Sequence, residues 1–244
     1  MRQSVVRVAP GMKALWVSAH PDRGSLNCHL HQFGVRALHA EGWQVTESDL
    51  YAMDWDPVLR EEGGADVETE QRKLADADLV VLQFPLWWYG MPAIMKGWID
   101  RVFERGFAYD VMDPATGRAR KYGDGGLVGR RALTIVTAGD RPGSLGPRGI
   151  SGDIEDVLWP TLHGTLWYTG MSALRPHLIT QARDVNASTI EGVERELADR
   201  LRSVADEEPI GFLPLDEEFY DHSIRLCEGV SPGLTGNAAH RFVT

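Results

Sequence analysis

The sequence predicts an α/β protein built on a doubly wound, mostly parallel sheet. Short apolar runs alternate with amphipathic stretches along most of the 244 residues, a pattern typical of βαβ units with right-handed crossovers. The run LVVLQF at 79–84 is apolar enough to be a fully buried strand. We therefore assign residues 1–206 to one α/β domain and residues 207–244, which have little periodicity, to an extension that wraps around it.

The individual elements follow from apolar periodicity and from the residues that flank each run. The segment 153–168 is predicted to be helical despite Pro160 and Gly164. The connection at 107–130 is rich in glycine and charge, and its length is typical of a lid or a binding loop. We predict strands at 12–19, 43–50, 79–84, 131–137 and 172–179, and helices at 25–41, 68–76, 93–105, 153–168 and 188–206.

The helix predicted at 93–105 has the clearest spacing. Pro92 precedes it where a first helical turn tolerates proline, and Gly106 is a natural stop. Gly97 in its interior predicts a close backbone approach, for example by another chain. Two rows at four-residue spacing make one broad apolar face: Ile94, Trp98 and Val102 beside Met95, Ile99 and Phe103.

Composition narrows the class of partner. The chain has 25 basic and 35 acidic residues, and its net charge of −10 argues against nucleic acid and anionic membranes as partners. Its two cysteines, Cys28 and Cys227, do not have zinc-site spacing, so we expect free thiols and no metal site. No apolar run has the length of a membrane span and the N-terminus lacks a signal-peptide pattern, which predicts a cytoplasmic protein.

Ligands of an open parallel sheet bind where the strands end, and the first strand ends in SAHPDRGSLN. Ser25 can cap the following helix, whose free amides and dipole attract anions. His20, Ser25 and Asn27 add side-chain donors, so this loop, which includes Leu26, could hold a phosphate or a pyrophosphate. An ordinary helix cap with a loop histidine explains the same residues and is the commoner arrangement.

The third strand ends in an unusually apolar turn, FPLWWYGMP at 84–92. Its two prolines restrict the backbone, so we expect the amides of Leu86, Trp87 and Trp88 to form a rigid array of donors. We interpret Trp87, Trp88 and Tyr89 as a flat wall for a planar heterocycle with polar edges, or as a ligand-lined interface. Aromatic core packing or a dimer contact is the alternative.

The fourth strand ends at Thr137, and Ala138 and Gly139 follow it. Small residues here let the backbone approach the polar edge of a bound ring, although a plain β-turn has the same composition. The three strand ends together offer hydrogen-bond donors for a phosphate, an aromatic wall, and backbone groups that can approach a ring edge. This combination favours a flavin nucleotide over a simple phosphate compound.

Longer segments resemble a known family. The segments SAHPDRGSLN, SDLYAMDWDPVL, FPLWWYGMPAIMKGWIDRVFERGFAY and GISGDIEDVLWPTLHGTLWYTGM are similar to those of the NAD(P)H:quinone oxidoreductases of the flavodoxin-like superfamily, the DT-diaphorase type. The resemblance covers nearly the whole chain. It implies a five-stranded parallel sheet in the order 2-1-3-4-5, a homodimer and a tightly held flavin, FAD rather than FMN. It also implies two-electron, ping-pong hydride transfer from NAD(P)H to a quinone or a similar flat aromatic acceptor.

The resemblance further implies roles for particular residues, transferred by motif position. Tyr109 would line the substrate pocket, within the chain or across the dimer, and is the candidate acid for acceptor protonation; simple stacking is the alternative. Arg200 would lie near the adenosine part of FAD. The flavin phosphates would meet His20, Ser25, Leu26 and Asn27, and the isoalloxazine would meet Pro85, Leu86, Trp87, Trp88, Tyr89, Thr137, Ala138 and Gly139.

Two positions depart from the family pattern. Mammalian members keep a tyrosine and a histidine after the fourth strand, thought to relay charge, whereas this chain has Leu145 and Ser151 there. Neither side chain is an acid near neutral pH. Backbone donors alone could then stabilise the reduced flavin, or the acceptor could differ from a simple quinone.

Two other functions remain open on the sequence. Some relatives in this family are regulatory subunits of potassium-efflux systems, in which a bound flavin would show little turnover, and the same fold serves electron carriers. The aromatic wall and the long 107–130 loop favour an enclosed substrate pocket over the open flavin edge of a carrier.

Overall fold

The structure, a computed structural model, describes residues 11–242, so the outermost residues of the predicted domain and of its extension lie outside the described residues. One sheet has the order β2-β1-β3-β4-β5, with β6 also pairing with β4, and all these pairings are parallel. The predicted fold class and strand order are confirmed. The strands are β1 Lys13–Ser18, β2 Gln44–Asp49, β3 Leu79–Pro85, β4 Arg131–Thr137, β5 Ser172–Ala173 and β6 His177–Ile179.

Helices cover both faces of the sheet, and side chains alternate along each strand between two apolar layers. In β1, Ala14 and Trp16 pack with helices α1 (Leu26–Ala40) and α6 (Ile190–Ser203), while Leu15 and Val17 pack with α2 (Ala65–Asp76) and α3 (Ala93–Val102). All seven residues of β3 are buried, as predicted for a central strand. The helices are α1 Leu26–Ala40, α2 Ala65–Asp76, α3 Ala93–Val102, α4 Ile154–Val157, α5 Trp159–Thr161 and α6 Ile190–Ser203, with a π-helix at Leu162–Trp167 and a 3-10 helix at Gly236–His240.

The fifth strand position is occupied by two short segments, not by the single strand predicted at 172–179. Ser172–Ala173 pairs with the start of β4, and His177–Ile179 pairs with its end. Pro176 lies between them and has no amide hydrogen to donate to the ladder. The interruption leaves the carboxyl end of β6 level with that of β4, where Ile179 pairs with Thr137.

The helix predicted at 153–168 is broken into α4, α5 and the π-helix. Pro160 has no amide hydrogen, and the following turn widens so that the Tyr168 amide donates to the His163 carbonyl, five residues back (3.0 Å). The Thr165 hydroxyl donates to the Pro160 carbonyl (3.0 Å). The Thr165 side chain therefore adds a hydrogen bond to the backbone at the point where the helix widens.

Gly97 does mark a close backbone approach, but the neighbour belongs to the same chain. A Cβ atom at this position would collide with the backbone of Pro57. The glycine therefore lets the segment after β2 pack against α3, and the suggestion of another chain at this point is wrong.

The extension contributes to the core of the sheet. Ile210 and Phe212 are buried in the layer that contains α2 and α3, and the Ile210 amide donates to the Ala173 carbonyl (2.8 Å). Across residues 11–242, no helix is both long and apolar enough to cross a membrane.

Candidate functional site

Most of the predicted site residues line a single cleft at the carboxyl edge of the sheet. The cleft has a volume of about 260 Å³ and lies where β1, β3, β4 and β6 end, as expected for ligands of a parallel sheet. Its lining residues are His20, Ser25, Leu26, Asn27, Pro85, Leu86, Trp87, Thr137, Ala138, Gly139, Ala182 and Arg183.

The start of α1 supplies an anion-binding end to this cleft. Ser25 caps the helix, and its Oγ accepts from the amide of Cys28 (3.2 Å). The amides of Leu26 and Asn27 make no hydrogen bond within the described residues. Because free amides and the helix dipole both favour negative charge, this end of the cleft suits a phosphate group.

A chain of side-chain hydrogen bonds lies under the cleft and holds the start of α1 against the sheet. Trp16 Nε1 donates to Gln83 Oε1 (2.8 Å), and Gln83 Nε2 donates to the Asn27 carbonyl (2.7 Å). Asn27 Nδ2 in turn donates to Thr137 Oγ1 (2.8 Å). These partners are buried, so the chain fixes β1, β3, α1 and β4 relative to one another.

Asn27 Oδ1 is a buried acceptor with no partner in the described chain. Leaving such a group unpaired costs about 1–3 kcal/mol. A ligand that brings a hydroxyl or an amide donor into the cleft would satisfy it. The sugar-alcohol chain of a flavin carries such hydroxyls beside its phosphate, so the residues present fit that group.

The aromatic turn has a strained backbone. Trp87 and Gly90 exchange two backbone hydrogen bonds (3.0 and 3.1 Å) across a two-residue turn. The two residues inside it, Trp88 and Tyr89, have φ angles of 52° and 61°. This left-handed region is unfavourable for bulky side chains and is often found at functional sites.

The predicted donor array in this turn is partly wrong. The Leu86 amide donates to the Thr137 carbonyl (2.8 Å), and the Trp87 amide is used within the turn. The amides of Trp88, Tyr89 and Gly139 make no hydrogen bond within residues 11–242 and so remain available to a ligand. Sheet pairing extends one residue beyond the predicted strand, which explains the use of Leu86.

The three rings of the turn do not form one wall. Trp87 lines the cleft, with its ring centroid 5.9 Å from that of His20. Trp88 is 97% exposed and Tyr89 54% exposed, and neither lines the cleft. Of the three rings, Trp87 alone contributes to the lining of the cleft, while the other two are exposed in the turn that follows it.

The two positions that depart from the family have different environments. Leu145 is buried in the loop after β4. Ser151 Oγ lies 3.3 Å from Tyr89 Oη and donates to Asp140 Oδ1 (3.3 Å). A hydrogen-bonded chain of Tyr89, Ser151 and Asp140 therefore joins this loop to the aromatic turn.

Two predicted site residues lie away from the cleft. Tyr109 lines a separate depression of about 290 Å³ together with Phe103 and Tyr168. Arg200 pairs with Glu207 (2.8 Å), whose carbonyl accepts from Arg131 at the first residue of β4. Arg200 also donates to the carbonyl of Arg175, in the connection between β5 and β6, and it does not line the cleft. The 107–130 loop contributes no lining residue to the cleft either.

Arg183 and Ala182 line the cleft but were not predicted. They follow β6, whose end lies beside that of β4. Within the described residues Arg183 forms no ion pair, so its guanidinium is available to a ligand anion. The sequence feature that could have predicted them is the segment ITQARD, which begins at the end of the predicted fifth strand and therefore lies at the same edge of the sheet.

The fold and this cleft together define a nucleotide-cofactor-binding α/β protein of the doubly wound type. A family model described as the flavodoxin-like fold matches residues 12–202. The chain belongs to this family, and within it to the NAD(P)H:quinone oxidoreductase group.

Similar proteins cover most of the chain. It is 37% identical over 231 residues to ribosyldihydronicotinamide dehydrogenase (quinone) of Mus musculus, covering 84% of this chain and 96% of that protein. It is 34% identical over 232 residues to NAD(P)H dehydrogenase (quinone) 1 of Cavia porcellus, covering 83% and 80%. A crystal structure of a provisionally named quinone reductase from Klebsiella pneumoniae aligns with a TM-score of 0.88 at 38% identity, covering 94% of this chain and 99% of that one.

Proposed function

We propose that this protein reduces a quinone or a similar flat aromatic acceptor with NAD(P)H, by two-electron, ping-pong transfer through a bound flavin. The observation that carries the proposal is the meeting of an anion-binding helix start, an aromatic turn and free backbone amides in one cleft. Both relatives described above are named as dehydrogenases, which favours an enzyme over a regulatory subunit.

The residues of the cleft divide into two groups by what they would hold. Leu26 and Asn27 amides, with Arg183, would bind the phosphate end, because they combine free donors with positive charge. Trp87 would stack on the ring system, and the amides of Trp88, Tyr89 and Gly139 would donate to its polar edge. When bound, a flavin supplies the redox chemistry by accepting and passing on a hydride equivalent.

The chain's own contribution is to bind and orient. Donors aimed at a group that becomes negatively charged stabilise it without rearrangement, because their positions are fixed beforehand. The hydrogen-bond chain from Trp16 to Thr137 provides this rigidity at the floor of the cleft. Tyr89, held by Ser151, would position the acceptor at the mouth of the cleft.

We also infer a homodimer. Trp88 and Ile150 are almost fully exposed, at 97% and 99%, and Tyr89 is exposed beside them. Large exposed apolar groups next to a site are typical of an interface. A partner copy could bring Tyr109, which lies outside the cleft of its own chain, to the acceptor; there it would donate a proton or stack.

The identity of the flavin and of the hydride donor are finer proposals. We propose FAD, as the family resemblance implies, although the cleft residues named here would contact only the part that FAD and FMN share. The two relatives are named for different donors, NAD(P)H and ribosyldihydronicotinamide. We further propose a cytoplasmic location, supported by the two free thiols, Cys28 and Cys227.

The test begins with the purified full chain supplemented with flavin. We expect a yellow protein, release of FAD identified by its mass, rapid NADPH oxidation with menadione, and sedimentation as a dimer. NADH and dihydronicotinamide riboside are compared as donors in the same assay. Colourless, well-folded protein would contradict the proposal, and bound flavin without turnover would favour the regulatory alternative.

A further inference from the structure

A second cavity, of about 340 Å³, lies between the extension and the helical segment after β4. It shares no lining residue with the flavin cleft. Five of its lining residues carry rings: Tyr122, Trp159, His163, Tyr220 and His240. Nothing in the proposed reductase function uses this cavity.

The rings form two stacks. Trp159 and His163 are stacked with centroids 4.3 Å apart, and Tyr122 packs on His163 at 5.1 Å. Tyr220 and His240 are parallel to within 4°, and Tyr220 Oη lies 3.0 Å from His240 Nδ1. Because the rings support one another, the walls of the cavity are pre-formed and rigid.

The backbone around the cavity is held in unfavourable conformations. Tyr122 has a φ of 54° and Ile224, which also lines the cavity, has a φ of 61°. A β-branched residue such as Ile224 is a genuine outlier in this region of φ. His163 is part of the π-helix. This conformation is rare in proteins overall, but where it occurs it is frequently at a functional site.

The polar groups of the cavity favour a neutral or anionic ligand. Burial, with the charges of His240 and Arg241, lowers the pKa of His163 to about 4, so its ring is neutral at neutral pH. Neither ring nitrogen of His163 makes a hydrogen bond within residues 11–242. Among the residues that the structure describes, no carboxylate lines the cavity, and the Arg241 guanidinium lies 5.5 Å from the Trp159 ring.

We propose that this cavity binds a planar aromatic molecule of about two rings that carries a hydroxyl or carboxylate group. Its volume is near the lower end of the range for small-molecule sites. The ligand rings would pack against the ring-lined walls, and its hydroxyl would bond to the imidazole of His163. The site is independent of the flavin cleft and does not depend on the proposed reductase activity.

The test uses 2-naphthol and 2-naphthoate, which are planar, fluorescent and unable to accept hydride. Binding to the flavin-loaded full chain is measured by equilibrium dialysis. Asn237→Trp fills the rim of the cavity, where Asn237 is only half-buried, and His163→Leu removes the imidazole while keeping apolar packing. Leu234→Ala is the matched control, because Leu234 is an exposed residue of the same extension that does not line the cavity.

We expect one probe molecule per chain, bound at least tenfold more weakly by Asn237→Trp and by His163→Leu, and unchanged in Leu234→Ala. Menadione reduction should be the same in the wild-type protein and in Asn237→Trp. Equal binding by all four proteins, or no binding by any, would overturn the proposal. If Asn237→Trp instead changes the sedimenting mass, a second copy of the chain covers the cavity and the proposal is also wrong.

Discussion

Trp88 combines a strained backbone with an almost fully exposed ring. An exposed ring gains nothing from folding in the free chain, so neither the φ of 52° nor the exposure is explained by stability. The arrangement is explained if the ring and the free amide beside it serve a ligand or a partner chain. Strain at this residue would then be a cost of function.

Replacing Trp88 separates the ring from the strain. Trp88→Ala removes the ring but keeps an unfavourable φ, whereas Trp88→Gly removes both, because glycine adopts positive φ freely. We expect the glycine variant to have a free energy of unfolding about 1 kcal/mol higher than the alanine variant, measured in urea. Both should retain flavin less well than the wild type, and unchanged retention in both would make Trp88 a structural residue only.

Ser151 connects Tyr89 to Asp140, and its replacement should affect the mouth of the cleft. Loss of one such hydrogen bond is worth about 0.5–1.5 kcal/mol, so Ser151→Ala should raise the KM for the acceptor about threefold to tenfold with little change in kcat. Ser144→Ala is the control, because Ser144 also donates to Asp140 (3.2 Å) but does not touch Tyr89. Equal effects of the two changes would show that Asp140, not Tyr89, is the group that matters.

Two half-buried histidines make stability depend on pH. Burial lowers the pKa of both His163 and His177 to about 4, against 6.5 for the unfolded chain. Between these pH values the unfolded state binds protons that the folded state does not. The stability present above pH 6.5 should therefore fall as the pH drops toward 4, by at most about 1.4 kcal/mol per pH unit for each histidine.

Urea unfolding at pH 7.5 and pH 5 measures this loss. His163→Gln and His177→Gln cannot titrate, so each should reduce the difference between the two pH values. Because the pKa values of His163 and His177 are lowered to about the same level, the two variants should reduce the difference by similar amounts. A pH dependence that is the same in wild type and both variants would assign it to other groups.

The residues of the cleft could be predicted where a strand end marks them. Asn27 and Thr137 follow from the rule that parallel strands end on one edge, although their mutual hydrogen bond could not be foreseen. Arg183 could have been predicted by the same rule, since the predicted order places the fifth strand beside the fourth and ITQARD includes the end of that strand. The wrong expectation for Leu86 arose because sheet pairing continued past Phe84.

At the scale of elements, apolar periodicity gave the correct type for α1, α2, α3 and α6 but not the break after β4. Periodicity indicates a helix but does not show that the turn after Pro160 widens into a π-helix, where the Thr165 hydroxyl donates to the Pro160 carbonyl. The division of the fifth strand likewise depends on Pro176. The prediction of one strand at 172–179 gave more weight to the apolar pattern than to this proline. Proline was the common cause of both errors.

Two glycines in helical segments should respond oppositely to substitution. Gly97→Ala would force α3 away from the backbone of Pro57 and should lower the free energy of unfolding by about 1–3 kcal/mol. Gly164, in the π-helix, has open space around its Cβ position, so Gly164→Ala should be neutral or stabilising by about 0.5–1 kcal/mol. Urea unfolding of both variants compares them, and similar values would contradict the packing described for α3.

At the scale of the whole molecule, we propose that residues 207–242 are an integral extension of the α/β domain. Phe212 is 1% exposed within the main core, whereas Phe242, in the same extension, is 50% exposed. Phe212→Ala should cost about 3–5 kcal/mol of unfolding free energy, and Phe242→Ala less than about 1 kcal/mol. A small effect of Phe212→Ala in urea unfolding would mean that the extension is only loosely attached.

The contrast between Trp88 and the other indoles gives the molecule an optical signature. Trp16, Trp43 and Trp98 are shielded from water, while Trp88 is open to any dissolved quencher such as iodide. Part of the tryptophan emission should therefore be red-shifted and easily quenched in the free chain. A cofactor or second subunit that binds over the carboxyl end of the sheet should first protect this exposed fraction of the emission from the quencher. Loss of quenching would therefore follow binding in real time.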